Sequence, residues 1–417
     1  MSAENIQSVV SGSERLPLTA QWLAPLLQGV RYGRLILEFD DGNAFYVTGE
    51  HGGTEGIWRL HHPARLFRRV IRAGIVGIAE GYHEGDWSSP QLADLLCFAT
   101  QNAQAFEAQM QPGWGRRLLH RITHWLRPNS MRGSRRNIAA HYDLGNDFYR
   151  LWLDEGMTYS SAIGLTNGVT LEQAQRAKYD RLLDSLDARP GEHVLEIGCG
   201  WGGLAEQAGR RGLQVSGITL SSEQLAYARQ RIHALGLEDR VSLALTDYRD
   251  QQGQFDHIVS IEMFEAVGEK YWPEFFRVVY ERLHPGGKAA IQVIIIDESC
   301  YDDYRRNPDY IQLYIFPGGM LPTRGLFIEG AERAGLTVAD EAMFGRDYAR
   351  TLHCWRESFE SKAREVSAQG YDLRFQRMWS YYLAYCEAGF RSGRINLMQI
   401  VLQRPHEACA AHQSMES

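Results

Sequence analysis

The chain has little of what marks a secreted, metal-bound or membrane-spanning protein. Its six cysteines (Cys97, Cys199, Cys300, Cys354, Cys386 and Cys409) are scattered over 417 residues with no CxxC pair and no metal-ligand spacing. That distribution fits reduced thiols and predicts neither a disulfide framework nor a metal site. No run of about 18 uninterrupted apolar residues exists, so no membrane-spanning helix is expected. The first residues, MSAENIQSVVSG, lack a basic start and an apolar stretch, which predicts no signal peptide and a cytoplasmic location. A net charge of −7 offers no basic excess for nucleic acid. What the chain does have is length for two domains, with 44% hydrophobic and 11% aromatic residues to build their cores.

The most informative stretch is HVLEIGCGWGG (193–203). An apolar, β-branched segment runs into Gly198, Gly200, Gly202 and Gly203, and a helix-like run follows. A strand, a tight glycine turn and a helix N-terminus let a ligand lie against bare backbone. A dinucleotide site wants a carboxylate about 20 residues on, at the end of the next strand. Here residues 213–218 end in Thr219-Leu220-Ser221-Ser222, with no acid. The turn reads Glu-x-Gly-x-Gly-x-Gly, which resembles the first motif of S-adenosylmethionine (SAM) methyltransferases.

The sequence divides at its changes of composition. Residues 1–105 predict a smaller α+β domain, with two strands around the polar turn Asp40-Asp41-Gly42-Asn43 and then helical runs. It carries no catalytic constellation and reads as a packing or substrate-docking module. Residues 106–136 form a link; from 114 to 136 there are seven arginines and no acid. Leu118, Leu119, Ile122, Trp125 and Leu126 fall on one helical face, with Arg116, Arg117, Arg121 and Arg127 crowding the rest. Such a helix either lies on an anionic membrane or docks its apolar face on protein. Residues 137–404 alternate strands and helices, predicting a doubly wound, Rossmann-like α/β sheet. In this reading 395–403 is a closing edge strand and 405–417 a tail.

Several blocks together resemble the cyclopropane-fatty-acid synthase family, SAM-dependent enzymes that modify double bonds of phospholipid acyl chains. They are HYDLGNDFYRLWLDEGMTYSSA (141–162), VLEIGCGWGG (194–203), GITLSSEQ (217–224), DYRD (247–250), SIEMFEAVG (260–268), YIFPGG (314–319), DYARTL (347–352) and YYLAYCEAGFRSGRINLMQIV (381–401), with GIAEGYHEGDW (77–87) in the first domain. The resemblance implies SAM as cofactor. Tyr159 and Ser160 would close over its methionine end, and Gly198, Gly200 and Gly202 would admit its backbone. Thr219 and Gln224, with Leu220 beside them, would hold the ribose, and Asp247 and Tyr248 the adenine.

It also implies a chemistry. An alkene attacks the electrophilic methyl, a carbocation forms on the neighbouring carbon, and aromatic faces stabilise it. A base then removes a proton from the new methyl as a ring closes. In the family that base is a bound bicarbonate held by Cys, Glu, His, a backbone Ile and Tyr. Here Glu265, Ile294 and Tyr348 occupy their places, but Ser161 stands for the Cys, Gln292 for the His, and Ala266 for the His after the Glu. Ser and Gln retain hydrogen-bond donors toward an oxyanion, but the imidazole is gone. These departures weigh against ring closure more than against methyl transfer, leaving a methyl-branched or unsaturated product as the alternative. Cys386 aligns with a cysteine suspected of catalysis in the family, or is a packed thiol. The partners implied are phospholipid acyl chains and a peripheral anionic membrane surface, with no nucleic acid; a homodimer is compatible. A small-molecule methyltransferase and an inactive lipid-binding protein are the competing readings.

Overall fold

The computed structural model describes residues 6–8, 16–103, 106 and 144–406. The basic stretch 114–127 lies outside them, as does the tail from 407 onward. Two sheets organise the described chain. The first contains β1 (Ile6–Ser8), β2 (Tyr32–Phe39), β3 (Ala44–Thr48), β4 (His51–Leu60) and β5 (Trp87–Ser88), in the order β1-β3-β2-β4-β5. Strands β2 and β3 form the hairpin that the polar turn suggested, with Gly42 at φ 84° and Asn43 N donating to Asp41 Oδ1 (3.0 Å). Leu35, Leu37, Phe45 and Val47 alternate inward along it.

The second sheet contains β6 (His193–Ile197), β7 (Gln214–Thr219), β8 (Val241–Leu245), β9 (Phe255–Ile261), β10 (Leu283–Ile296), β11 (Thr337–Met343) and β12 (Ile395–Gln403). Its order is β11-β12-β10-β9-β6-β7-β8. Strands β6 to β10 pair in parallel, and β12 lies antiparallel between β10 and β11. This corrects the expectation that 395–403 closes the sheet. Leu397 to Leu402 are buried on both faces without a break, as an interior strand requires, whereas β11 is largely exposed and forms the true edge. The Pro285-Gly286-Gly287 turn also differs from expectation. It is an irregularity within β10, where the pairing with β9 jumps between Leu283 and Lys288.

The two sheets are joined by a shared core. The helix Leu373–Ser392 packs on the helices Leu92–Gln101 and Ile75–His83 of the first sheet's layer. Tyr381 meets Tyr82 and Trp87 across this junction, and His83 Nε2 lies 3.1 Å from the Tyr310 hydroxyl. Ion pairs Arg391–Asp94 (2.6 Å) and Arg374–Glu84 (2.8 Å) flank it. Phe148, Trp152, Trp355 and Trp379 extend the same apolar cluster into the second sheet's layer.

Candidate active site

A cavity of about 590 Å³ opens at the carboxyl ends of β6, β7 and β9 and reaches the helices of the first layer. Sheet order reverses at β6, which has β7 on one side and β9 on the other, and ligands of such sheets bind in the crevice at that point. The cavity has two chemically different ends.

The first end is made mainly of backbone. Gly198 (φ 89°) and Gly200 (φ 50°) line it, and a Cβ on Gly200 would project into open space, so the glycine leaves room for a ligand. Gly202 was expected to join them, but its absent Cβ faces Ala228 at 3.1 Å: it lets the helices Gly203–Arg210 and Ser222–Ala234 approach. Thr219, Leu220, Gln224, Asp247 and Tyr248 line the crevice, with Tyr159 and Ser160 across it. Thr219 Oγ1 donates to Gln224 Oε1 (3.2 Å), while Arg249 grips both Asp247 carboxylate oxygens (2.8 and 2.7 Å). Glu196 Oε2 and the Tyr248 hydroxyl are buried on this wall without a partner. Burial pushes the Glu196 carboxyl up to about 8. Open space over glycines and two orphaned polar atoms fit a polar, cationic ligand such as SAM.

Lys178, which sequence reading passed over, stands behind this wall. It is fully buried, donating to Ser160 Oγ (2.6 Å) and Gln175 Oε1 (2.8 Å). Burial pushes its ammonium down to about 7, against the pull of Glu262, Asp154 and Glu196.

The second end is built from side chains, and it departs from expectation. Ser161, Gln292 and Tyr348 were expected around an anion beside Glu265. They converge instead on Glu262. The Ser161 amide (2.9 Å) and Gln292 Nε2 (2.7 Å) donate to Glu262 Oε1, and the Tyr348 hydroxyl donates to Oε2 (2.5 Å). The Ser161 hydroxyl, expected to be a donor to the anion, donates to Ala162 O (2.8 Å). Strand register explains Gln292: it pairs with Ile261 on β9 and with Gln399 on β12. Arg181 Nε donates to Gln399 Oε1 (3.0 Å), and Gln399 Nε2 to Gln292 Oε1 (2.8 Å). That chain leaves the Gln292 amide N–H₂ only one way to face, toward Glu262.

Glu262 also holds a left-handed backbone, φ 50°. This conformation costs an L-residue roughly 1–2 kcal/mol, and Glu262 N is fixed in it by donating to Gln292 O (2.8 Å). Strain of this kind gathers at functional sites. One turn on, Glu265 Oε1 accepts from the Ile294 amide (2.6 Å), while Oε2 is buried without a partner. Burial, reinforced by the charge of Glu262, pushes the Glu265 carboxyl up to about 8. Burial raises Glu262 as well, against the smaller downward pull of Tyr348, Ser161, Lys178 and Gln292. Three donors face Glu262 and one faces Glu265, so the charge of the pair belongs on Glu262 and the proton on Glu265.

These residues do not fit bicarbonate. The donors expected for it are taken by Glu262 and Glu265, and the carboxylate beside the space repels a second anion. The surrounding wall is aromatic: the Tyr159 and Tyr382 hydroxyls bond at 2.8 Å, Tyr159 meets Trp152 and Trp355, and Tyr348 stacks on Phe390. Cys386 lines the cavity, but burial pushes its thiol far up, so it sits as a neutral, packed thiol. The signal for Glu262 was present in SIEMFEAVG: a second acid three residues before Glu265, at the end of a buried strand.

Comparisons with known proteins agree with this geometry. Residues 129–400 match the family model described as mycolic acid cyclopropane synthetase. The tuberculostearic acid methyltransferase UfaA1 of Mycobacterium tuberculosis is 40% identical over 389 residues, 89% of this chain and 88% of that protein. The cyclopropane-fatty-acyl-phospholipid synthase of Escherichia coli (strain K12) is 37% identical over 83% of this chain and 87% of its own length. The crystal structure of mycolic acid cyclopropane synthase CmaA1, complexed with SAH and CTAB, superposes with a TM-score of 0.61 at 31% identity, covering 64% of this chain and 98% of that one. Glycine turn, sheet order and these matches agree: the chain belongs to the mycolic acid cyclopropane synthetase family and is a SAM-dependent methyltransferase of the kind that modifies fatty acyl chains.

Proposed function

We propose that the protein transfers a methyl group from SAM to a carbon–carbon double bond in an unsaturated fatty acyl chain of a phospholipid. The observation that carries this reading is the continuity of the cavity. It runs from the glycine turn past the two carboxylates to apolar side chains of the first layer, among them Ile75, Ile78, Ala79, Leu96 and Phe106. A polar small molecule has no use for that extension, whereas an acyl chain does. The first layer thus serves as the docking module for the chain.

SAM supplies an electrophilic methyl on a sulfonium. Gly198, Gly200, Thr219, Gln224, Asp247 and Tyr248 would hold it, and Tyr159 and Ser160 would cover it. The acyl double bond attacks with its π pair: a carbon–methyl bond forms, the methyl–sulfur bond breaks with its pair on sulfur, and a cation remains on the neighbouring carbon. Tyr159, Tyr348 and Tyr382, which line the cavity, offer ring faces to that cation, and the dry aromatic wall excludes the water that would capture it. Proton loss then gives a ring or, after a hydride shift, a methylene branch; a relative named as a cyclopropane synthase and one named as a methyltransferase are both similar to this chain.

Among the described residues no helix is long and apolar enough to cross a membrane. The substrate's location therefore calls for surface contact, for which the basic, amphipathic sequence of 114–127 is the candidate. The test is mass spectrometry of total fatty acids from a host expressing the protein, with the SAM methyl labelled. A labelled gain of one CH₂ on unsaturated chains supports the reading, and fragmentation separates ring from branch. Label on a soluble compound instead of lipid points to a small-molecule methyltransferase, and SAM binding without transfer points to an inactive lipid-binding protein.

A further inference from the structure

We infer that Glu262 is the built-in base of this active site: its carboxylate occupies the anion cradle and makes the reaction independent of bicarbonate. The cradle is complete. Ser161 N, Gln292 Nε2 and the Tyr348 hydroxyl, from three separate segments, all donate to this one side chain. Glu262 borders the cavity alongside Ile294 and Tyr348. The two oxygens are not equivalent. Oε1 accepts two of these bonds and Oε2 only one, so Oε2 keeps a lone pair for an incoming proton.

The backbone gives an independent sign that this side chain is kept for its chemistry. Position 262 has φ 50°, where glycine is at home and an L-residue is strained. A second buried carboxylate beside Glu265 is a further penalty that a merely structural residue would not bring. The step balances simply. Oε2 takes a proton from the methyl group just added to the acyl chain, and the C–H pair closes the new carbon–carbon bond that discharges the cation. Glu262 becomes a neutral acid, and its proton returns to solvent when the product leaves. Glu265, already protonated, does not compete for it.

The catalytic half of this inference rests on the methyl-transfer reading; the anion-site half does not, and the two are tested separately. Carbon-13 bicarbonate is titrated against the full-length protein by NMR. The wild type is expected to show no saturable binding. Glu262→Gly, which frees three donors and relieves the left-handed strain, is expected to bind bicarbonate and to melt no lower than the wild type. Saturable bicarbonate binding by the wild type overturns the inference whatever the substrate. For turnover on unsaturated phospholipid, Glu262→Gln is expected to lose roughly 10²–10⁴-fold with SAM affinity unchanged. Glu262→Gly is expected to regain activity with added bicarbonate or formate. Wild-type turnover that collapses when bicarbonate is stripped, or a Glu262→Gln variant of nearly full activity, overturns it as well. No transfer by the wild type to any lipid defeats the proposed function, and the NMR titration still decides the anion site.

Discussion

The two ends of the cavity are held together by different physics. At the cofactor end the floor is a contiguous strand, turn and helix whose shape is set by glycine backbone, with side chains such as Thr219, Gln224, Asp247 and Tyr248 placed around it. At the carboxylate end, Ser161, Glu262, Gln292, Tyr348 and Gln399 come from segments more than a hundred residues apart in places, and hydrogen bonds between side chains set the shape. A backbone site tolerates change in every side chain that points away from it. A side-chain site is changed by a single substitution at any member. The first kind fits a cofactor that must always look the same; the second is where relatives with one cofactor can diverge in product.

The largest effect should come from damaging the backbone end. Gly200→Val places a β-branched residue at φ 50° with its side chain in the ligand's space, and SAM affinity should fall by roughly 100-fold or more. Calorimetry reads the loss, while near-ultraviolet dichroism of the first layer's tryptophans should stay native. Unchanged affinity would move the cofactor elsewhere.

Next comes Tyr348→Phe, which leaves the stack on Phe390 but removes the donor to Glu262 Oε2. Turnover should drop roughly 10–100-fold with SAM affinity intact. Of the groups facing Glu262, Tyr348 and Lys178 lower its pKa and Glu265 is neutral. Losing Tyr348 therefore raises it, and the acid limb of the pH–rate profile should move to higher pH, by about one unit. A limb that stays in place would separate Tyr348 from the base.

A third test concerns stability. The Glu265 carboxyl titrates near 4.5 unfolded and about 8 folded. Below pH 4.5 both states hold the proton; between 4.5 and 8 only the folded state does, so folding loses stability as pH rises through that window, on the order of a few kcal/mol. Glu196 adds a loss of the same sign. Glu265→Gln removes one of the two, so its melting temperature should exceed the wild type's at pH 8 by more than at pH 5. Equal differences at the two pH values would mean that Glu265 is ionised in the fold.

The smallest effect belongs to Ser161→Ala. The residue's contribution to Glu262 is its amide, and its hydroxyl bonds to Ala162 O. Turnover should change by less than about twofold, well inside the loss of one ordinary hydrogen bond. A loss near that of Tyr348→Phe would mean that the hydroxyl turns into the cavity when substrate binds.

The sequence by itself determined the family, the α/β sheet and most of the cofactor wall. Those features are written locally: in the glycine spacing of 198–203, in apolar strand segments followed by helices, and in residues a few positions past a strand end. It also held the hairpin at Asp40–Asn43, because turn chemistry is local. It did not reveal that Leu397 to Leu402 form an interior strand, since β11, the strand outside it, is mostly exposed and its apolar residues do not alternate with polar ones to announce a strand. Nor did it show that Gly202 serves helix packing, or that Lys178 is buried. Above all, it did not separate Glu262 from Glu265. Both lie in one short motif, and only the pairing of Ile261 with Gln292 and of Gln292 with Gln399, together with the Tyr348 hydroxyl, decides which carboxylate is held as the anion. A pKa belongs to a carboxyl group's surroundings rather than to its place in the chain, and those surroundings exist only once distant segments have come together.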